Sequence, residues 1–155
     1  MALENTKIIR EQDGAVLRVK SGGSVVVESG GFIDNGSAVA GATIVVGAES
    51  TNVRAITVQL TDAAGADIAV RQLVQIVVLF DASGDAFVVT GGSTGIAIGT
   101  DGALLALVAK KAFLAISEAD GDIDLTWTDT GTEVAYLGVI LPNGKMVISA
   151  ALTNT

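Results

Sequence analysis

The sequence contains no cysteine and no histidine, one proline, and few aromatic residues: one Trp, one Tyr and four Phe in 155. Without thiols or imidazoles, disulfide scaffolds, zinc fingers, cysteine nucleophiles and histidine acid–base chemistry are excluded. Basic residues are scarce as well. Nine Lys and Arg against 17 Asp and Glu give a net charge of −8, with no basic patch of the kind that neutralises phosphates, so no direct nucleic-acid partner is expected. The longest apolar runs, Ile76–Phe80 and Ala103–Ala109, fall far short of the roughly 20 residues of a membrane helix. The opening MALENTKIIREQDG lacks the basic-then-apolar pattern of a secretory signal, so neither export nor a membrane partner is expected.

What is present favours strands. Half of the residues are apolar, 19 are Gly, and Val, Ile and Thr make up nearly a third of the chain. Residues 1–14 are polar and mixed in charge and read as an N-terminal arm. An eight-residue repeat follows: Leu17-Arg-Val-Lys-Ser-Gly-Gly-Ser24, then Val25-Val-Val-Glu-Ser-Gly-Gly-Phe32, then Ile33-Asp-Asn-Gly-Ser37. A unit this short cannot enclose a core, and so few units are not stable alone. Three chains, each supplying one face of a β-prism, solve the problem, with Val19, Val25, Val27 and Ile33 on the trimer axis; one ordinary hairpin with Gly-rich turns is the alternative. Residues 15–52 are thus expected to form a stem and connector, with a short strand at 43–46.

From Val53 the pattern changes to strand candidates 8–12 residues apart, separated by Gly/Asp turns, the mark of a sandwich or barrel. They are Arg54–Thr61, Leu73–Asp81, Ala86–Thr90, Gly95–Ile98, Leu104–Val108, Phe113–Glu118, Ile123–Thr128, Glu133–Ile140 and Lys145–Leu152. Ala103–Ser117 has helical propensity, but Ala103–Ala109 is apolar all round and Lys110-Lys111 interrupts it, which reads as strand, turn, strand.

Motifs that could carry chemistry are incomplete. Val88-Val-Thr-Gly-Gly-Ser-Thr-Gly-Ile-Ala-Ile-Gly99 has the glycines of a dinucleotide-binding turn, but Thr100-Asp101-Gly102 is a poor helix start. Asp120, Asp122 and Asp124 alternate like the start of a calcium loop. Leu125 stands where that loop needs Gly, and Gly131 where it needs a bidentate Glu, which leaves them a weak metal candidate. Carboxylates suffice for a glycosidase pair, but an aromatic sugar platform is missing. Asn35-Gly36-Ser37 fits the glycosylation pattern, a match that arises often by chance. No catalytic residues and no cofactor are expected, and the chain is not read as an enzyme.

Phe113-Leu-Ala-Ile-Ser-Glu-Ala-Asp-Gly-Asp-Ile-Asp-Leu125, Thr128-Asp-Thr-Gly131, Tyr136-Leu-Gly-Val-Ile-Leu-Pro-Asn-Gly-Lys145 and Val147-Ile-Ser149 together resemble a C-terminal domain of tailed-bacteriophage virion proteins. Val53–Asp62 is similar to that domain's first strand, and the Ser-Gly-Gly repeat is similar to short phage β-prism stems. The resemblance covers roughly residues 53–152. It implies a head decoration (cement) or head-fibre protein, trimeric, bound to the major capsid protein on the capsid exterior and made in the bacterial cytoplasm. A tail-fibre or tail-tip receptor-binding component is the alternative, and a carbohydrate-binding adhesive module a more distant one.

The expected architecture is an all-β, intertwined homotrimer: an arm (1–14), a β-prism or β-helix-like stem with connector (15–52) and a jelly-roll-like β-sandwich (53–155). The first twenty residues are slightly basic and residues 53–155 acidic. That asymmetry fits an N-terminal end that docks and equally fits ordinary surface charge. In the virion reading that the resemblance implies, the expected capsid contact is Ile8, Ile9, Arg10, Leu17 and Arg18.

Overall fold

A computed structural model describes residues 39–155, the strands Ile8–Arg10 and Leu17–Val19, and Ser24. The chain divides into two units, 1–33 and 34–155.

In the first unit, β1 (Ile8–Arg10) pairs antiparallel with β2 (Leu17–Val19), in the register Ile8↔Val19, Ile9↔Arg18 and Arg10↔Leu17. All five expected capsid-contact residues therefore belong to one two-stranded ladder, in which the arm pairs with the first octad. Val19 closes that ladder. Val25, Val27, Ile33 and the Asn35-Gly36-Ser37 pattern lie outside the described residues.

The second unit is a β-sandwich of two antiparallel sheets. Its strands are β3 (Gly41–Ser50), β4 (Val53–Thr61), β5 (Leu73–Leu79), β6 (Gly95–Ile98), β7 (Ala103–Val108), β8 (Ala112–Ile116), β9 (Asp122–Thr128), β10 (Tyr136–Ile140) and β11 (Met146–Ile148). One sheet runs β3-β4-β9-β6 and the other β11-β10-β5-β8-β7. The chain crosses between them after β4, β5, β6, β8 and β9. Alternation builds the core: Ile56, Val58, Leu60, Ile123, Leu125 and Trp127 from one sheet meet Val74, Ile76, Val78, Phe113, Leu137 and Val139 from the other. Burying each such side chain contributes about 1.5–3 kcal/mol.

The turn chemistry is visible locally. Asp62 Oδ1 accepts the N–H groups of Ala64 and Ala66, and Asp81 Oδ1 those of Ser83 and Gly84, each at 2.9 Å. Lys110 takes a φ of 63° in the turn joining β7 to β8, closed by Lys111 N–H on Val108 O at 3.0 Å.

Three expectations need correction. Residues 41–50 are no connector but a ten-residue strand paired with β4, so the sandwich begins before Val53. The joining turn uses Thr51 and Asn52 at φ 53° and 64°, the positive angles a two-residue hairpin needs. Ala86–Thr90 makes only an isolated bridge, Phe87 to Leu79. Val88 enters the core while Phe87 and Val89 stay exposed, and Gly91 and Gly92 turn the chain away. The last strand stops at Ile148 because the Ser149 hydroxyl accepts Leu137 N–H and donates to Ala150 O, bending the backbone.

Candidate functional site

Strands buried on one face normally turn polar residues outward. The four-stranded sheet does so: Thr57, Gln59, Asp122, Asp124 and Thr126 occupy its outer face, between inward Ile56, Val58, Ile123 and Leu125. The five-stranded sheet does not. Its registers place Leu73, Ile116 and Ala103 in one outer row, and Ile140, Gln75, Leu114 and Leu105 in the next. Val77, Gly138, Ala112 and Val108 follow. Gln75 is the one hydrogen-bonding side chain of these three rows, and none is charged. The loop after β5 folds over one corner, packing Gly84 against Met146 and Ile148. The β5-β8-β7 part stays open, with Leu73 52 %, Leu105 63 % and Val108 54 % exposed.

At the sheet edge, β7 (ALLALV) is apolar on both faces and almost wholly exposed. Edge strands are usually blunted by charge or Pro, and β7 carries neither. The grooves beside Leu73 and Leu114 hold about 200 and 180 Å³. Small-molecule sites run to about 300–1,000 Å³, so these grooves suit side chains of a macromolecular partner better than a ligand.

The acidic candidates fall elsewhere. Asp101, Asp122 and Asp124 each offer a carboxylate oxygen within 4.8 Å of the others. Asp101 comes from the β6–β7 connection, held there by Asp124 N–H on Asp101 O at 3.0 Å. Asp120, expected in this group, is exposed and stands outside it. Asp101 takes its place because the connection runs alongside β9. Thr57 donates to Asp124 Oδ1 at 3.0 Å, while Asp122 Oδ1 is buried without a partner. Calcium takes six to eight oxygens, so three carboxylates are half a coordination shell.

Burial, and then the neighbouring Asp124, push the Asp122 carboxyl above its ordinary range. The folded chain therefore holds this proton more tightly than the unfolded chain, and the Asp122 charge opposes folding at neutral pH. Asp122→Asn is expected to raise the melting temperature at pH 7 by roughly 2 °C, with the gain shrinking as the pH falls through the raised pKa. Thermal melts at pH 7 and pH 4 check this, and a variant less stable than the parent at pH 7 contradicts it.

The glycine-rich loop 91–95 has a structural use. Glu133 accepts the N–H groups of Thr90 (2.9 Å) and Gly92 (2.8 Å), and Asp129 Oδ1 that of Ser93 (3.0 Å). Amides that could cradle a phosphate are thus committed to the protein's own carboxylates. Burial raises the Glu133 pKa, but the hydrogen bonds from Thr90 and the loop amides outweigh it and hold the carboxyl below its ordinary value. Lys110 donates to Gly92 O at 3.1 Å and Ser93 O at 2.6 Å, tying the loop to the β7–β8 turn.

The open apolar face was not singled out by sequence reasoning. The signal lay in Ala103–Val108, apolar at every position, which is unusual for a strand with one solvent face. Together the described features define an all-β sandwich with one polar and one apolar outer face. Comparison with protein-family models, with curated proteins and with solved structures finds no match.

Proposed function

We propose that this chain is a structural protein of a tailed-bacteriophage virion that decorates and stabilises the capsid as a homotrimer. The observation that carries the proposal is the order of the chain. A Ser-Gly-Gly octad repeat, too short to fold alone, precedes a sandwich whose β8–β11 segments bear the motifs resembling phage virion proteins. The uncovered apolar face supports a role in assembly. In this reading the octads form a short intertwined β-prism stem around Val19, Val25, Val27 and Ile33, and the head is jelly-roll-like. The β1–β2 ladder docks on the major capsid protein. A trimer spanning neighbouring capsomers adds contact area between them, and three docking points raise avidity through effective concentration.

The test is binding of purified protein to shells that lack it. The full chain is expected to bind at a mass near three times 15.5 kDa, and removal of residues 1–14 to lower binding at least tenfold with the melting of the head unchanged. Retained binding after truncation overturns the docking assignment. Label found on tails instead of shells turns the reading to a tail-fibre component.

A further inference from the structure

We infer that the open β5-β8-β7 face of the sandwich is covered by further copies of this chain, so that the heads pack against one another through Leu73, Leu105, Leu114 and Ile116. The inference rests on the homotrimer reading for the number of copies, and it adds a contact that the stem does not supply.

Area is the first argument. Three strands about 4.8 Å apart, about 20 Å long, give a flat footprint of about 300 Å². That is the size of the apolar centre of a standard interface, which buries about 800 Å² per partner once its polar rim is counted. The exposed β7 edge extends the same surface without a break, and its outer backbone groups, which pair with no strand among the described residues, offer hydrogen bonds to a neighbouring strand.

Charge is the second argument, and it selects a copy of the chain over an unrelated partner. At a net charge of −8, two copies repel through most of their surfaces. This face has no carboxylate in its rows. Its rim carries Glu118 already paired with Arg71 at one end and Lys111 at the other. The clustered carboxylates Asp122 and Asp124 lie on the opposite sheet. Copies meeting here bring apolar rows together and leave the acidic faces in solvent. A basic partner would instead be drawn to the polar sheet.

The absence of native cysteine makes the test direct. Leu105→Cys and, on the other sheet, Val45→Cys (57 % exposed) are prepared in the full chain. Maleimide labelling is timed in buffer and in denaturant, with the mass of each sample read by light scattering. The expected result is a multimer in which the Leu105→Cys thiol reacts at least tenfold more slowly than the Val45→Cys thiol, the two rates converging in denaturant. A multimer in which both react alike overturns the inference and leaves the stem-held trimer standing. A single-chain mass overturns it also: a protected thiol then means that the chain's own N-terminal residues cover the face, and a reactive one that nothing does. Assembly with protection but without shell binding keeps this interface and removes the decoration role.

Discussion

Gly92→Ala is expected to lower the melting temperature by roughly 10 °C or more. The residue sits at φ +75°, where an L side chain costs about 1–2 kcal/mol. Its Cβ would also stand 2.8 Å from Thr128 O and 2.9 Å from Trp127 Cη2, groups fixed in β9 and the core. Trp127 is fully buried, so the ring has nowhere to go, and overpacking of this kind adds about 1–3 kcal/mol. Gly65→Ala is the control. Gly65 has a similar φ of +83° but nothing within 4 Å of the added carbon, so it bears the backbone cost alone and is expected to shift melting by less than half as much. Equal shifts for the two variants would show that the loop does not press on Trp127. Circular dichroism melts of both variants decide the matter.

Removal of residues 150–155 is expected to abolish cooperative folding. Leu152 is fully buried, and its N–H donates to Ala135 O at 2.8 Å. Asn154 donates to Asn52 O at 2.6 Å and Asp129 O at 2.9 Å, joining the β3–β4 turn to the end of β9. Arg54 donates to Thr153 O at 2.8 Å and Gly47 O at 3.0 Å, beside the irregularity in β3. The Thr155 N–H and hydroxyl donate to Glu49, and the backbone bond in particular holds that carboxyl below its ordinary range. Loss of the Leu152 side chain alone costs about 2–5 kcal/mol, and each orphaned buried carbonyl about 1–3. The total approaches the whole stability of a domain, about 5–15 kcal/mol. A truncated chain that melts as sharply and as high as the parent would refute the anchoring role. Leu152→Ala and Asn154→Ala apportion the loss between packing and hydrogen bonding.

The strands most legible in the sequence were those bounded by Asp-Gly or Asn-Gly, because these pairs state their backbone angles directly. β9 and β10 emerged within a few residues of their bounds for that reason, and Lys110-Lys111 marked the break between β7 and β8. Only the middle of β3, residues 43–46, was legible, and its full extent to Ser50 was not, because its turn is Thr51-Asn52, with no glycine to announce it. The angles are held by tertiary contacts instead: Glu49 accepts Asn52 N–H, while Asn154 and Asp129 donate to Asn52 O. The acidic group was half legible. Alternation put Asp122 and Asp124 on one face, but bringing Asp101 beside them takes the pairing of β6 with β9, which no local pattern encodes. The open face was obscured for a similar reason. An all-apolar strand reads equally well as the centre of a covered sheet, and only the strand order places β7 at an edge.

The five crossings between the sheets also govern how the chain acquires its structure. β4 lies between β3 and β9, and β5 between β8 and β10, so neither sheet can be finished from a contiguous stretch. On the ribosome, β4 and β5 must wait for partners made long after them, their apolar faces exposed meanwhile. Non-local pairing of this kind places folding in the slow range for small domains, about milliseconds to seconds. The sandwich therefore closes late: a chain that stops before β10 leaves β5 without one of its two neighbours, and the five-stranded sheet two strands short of its full order.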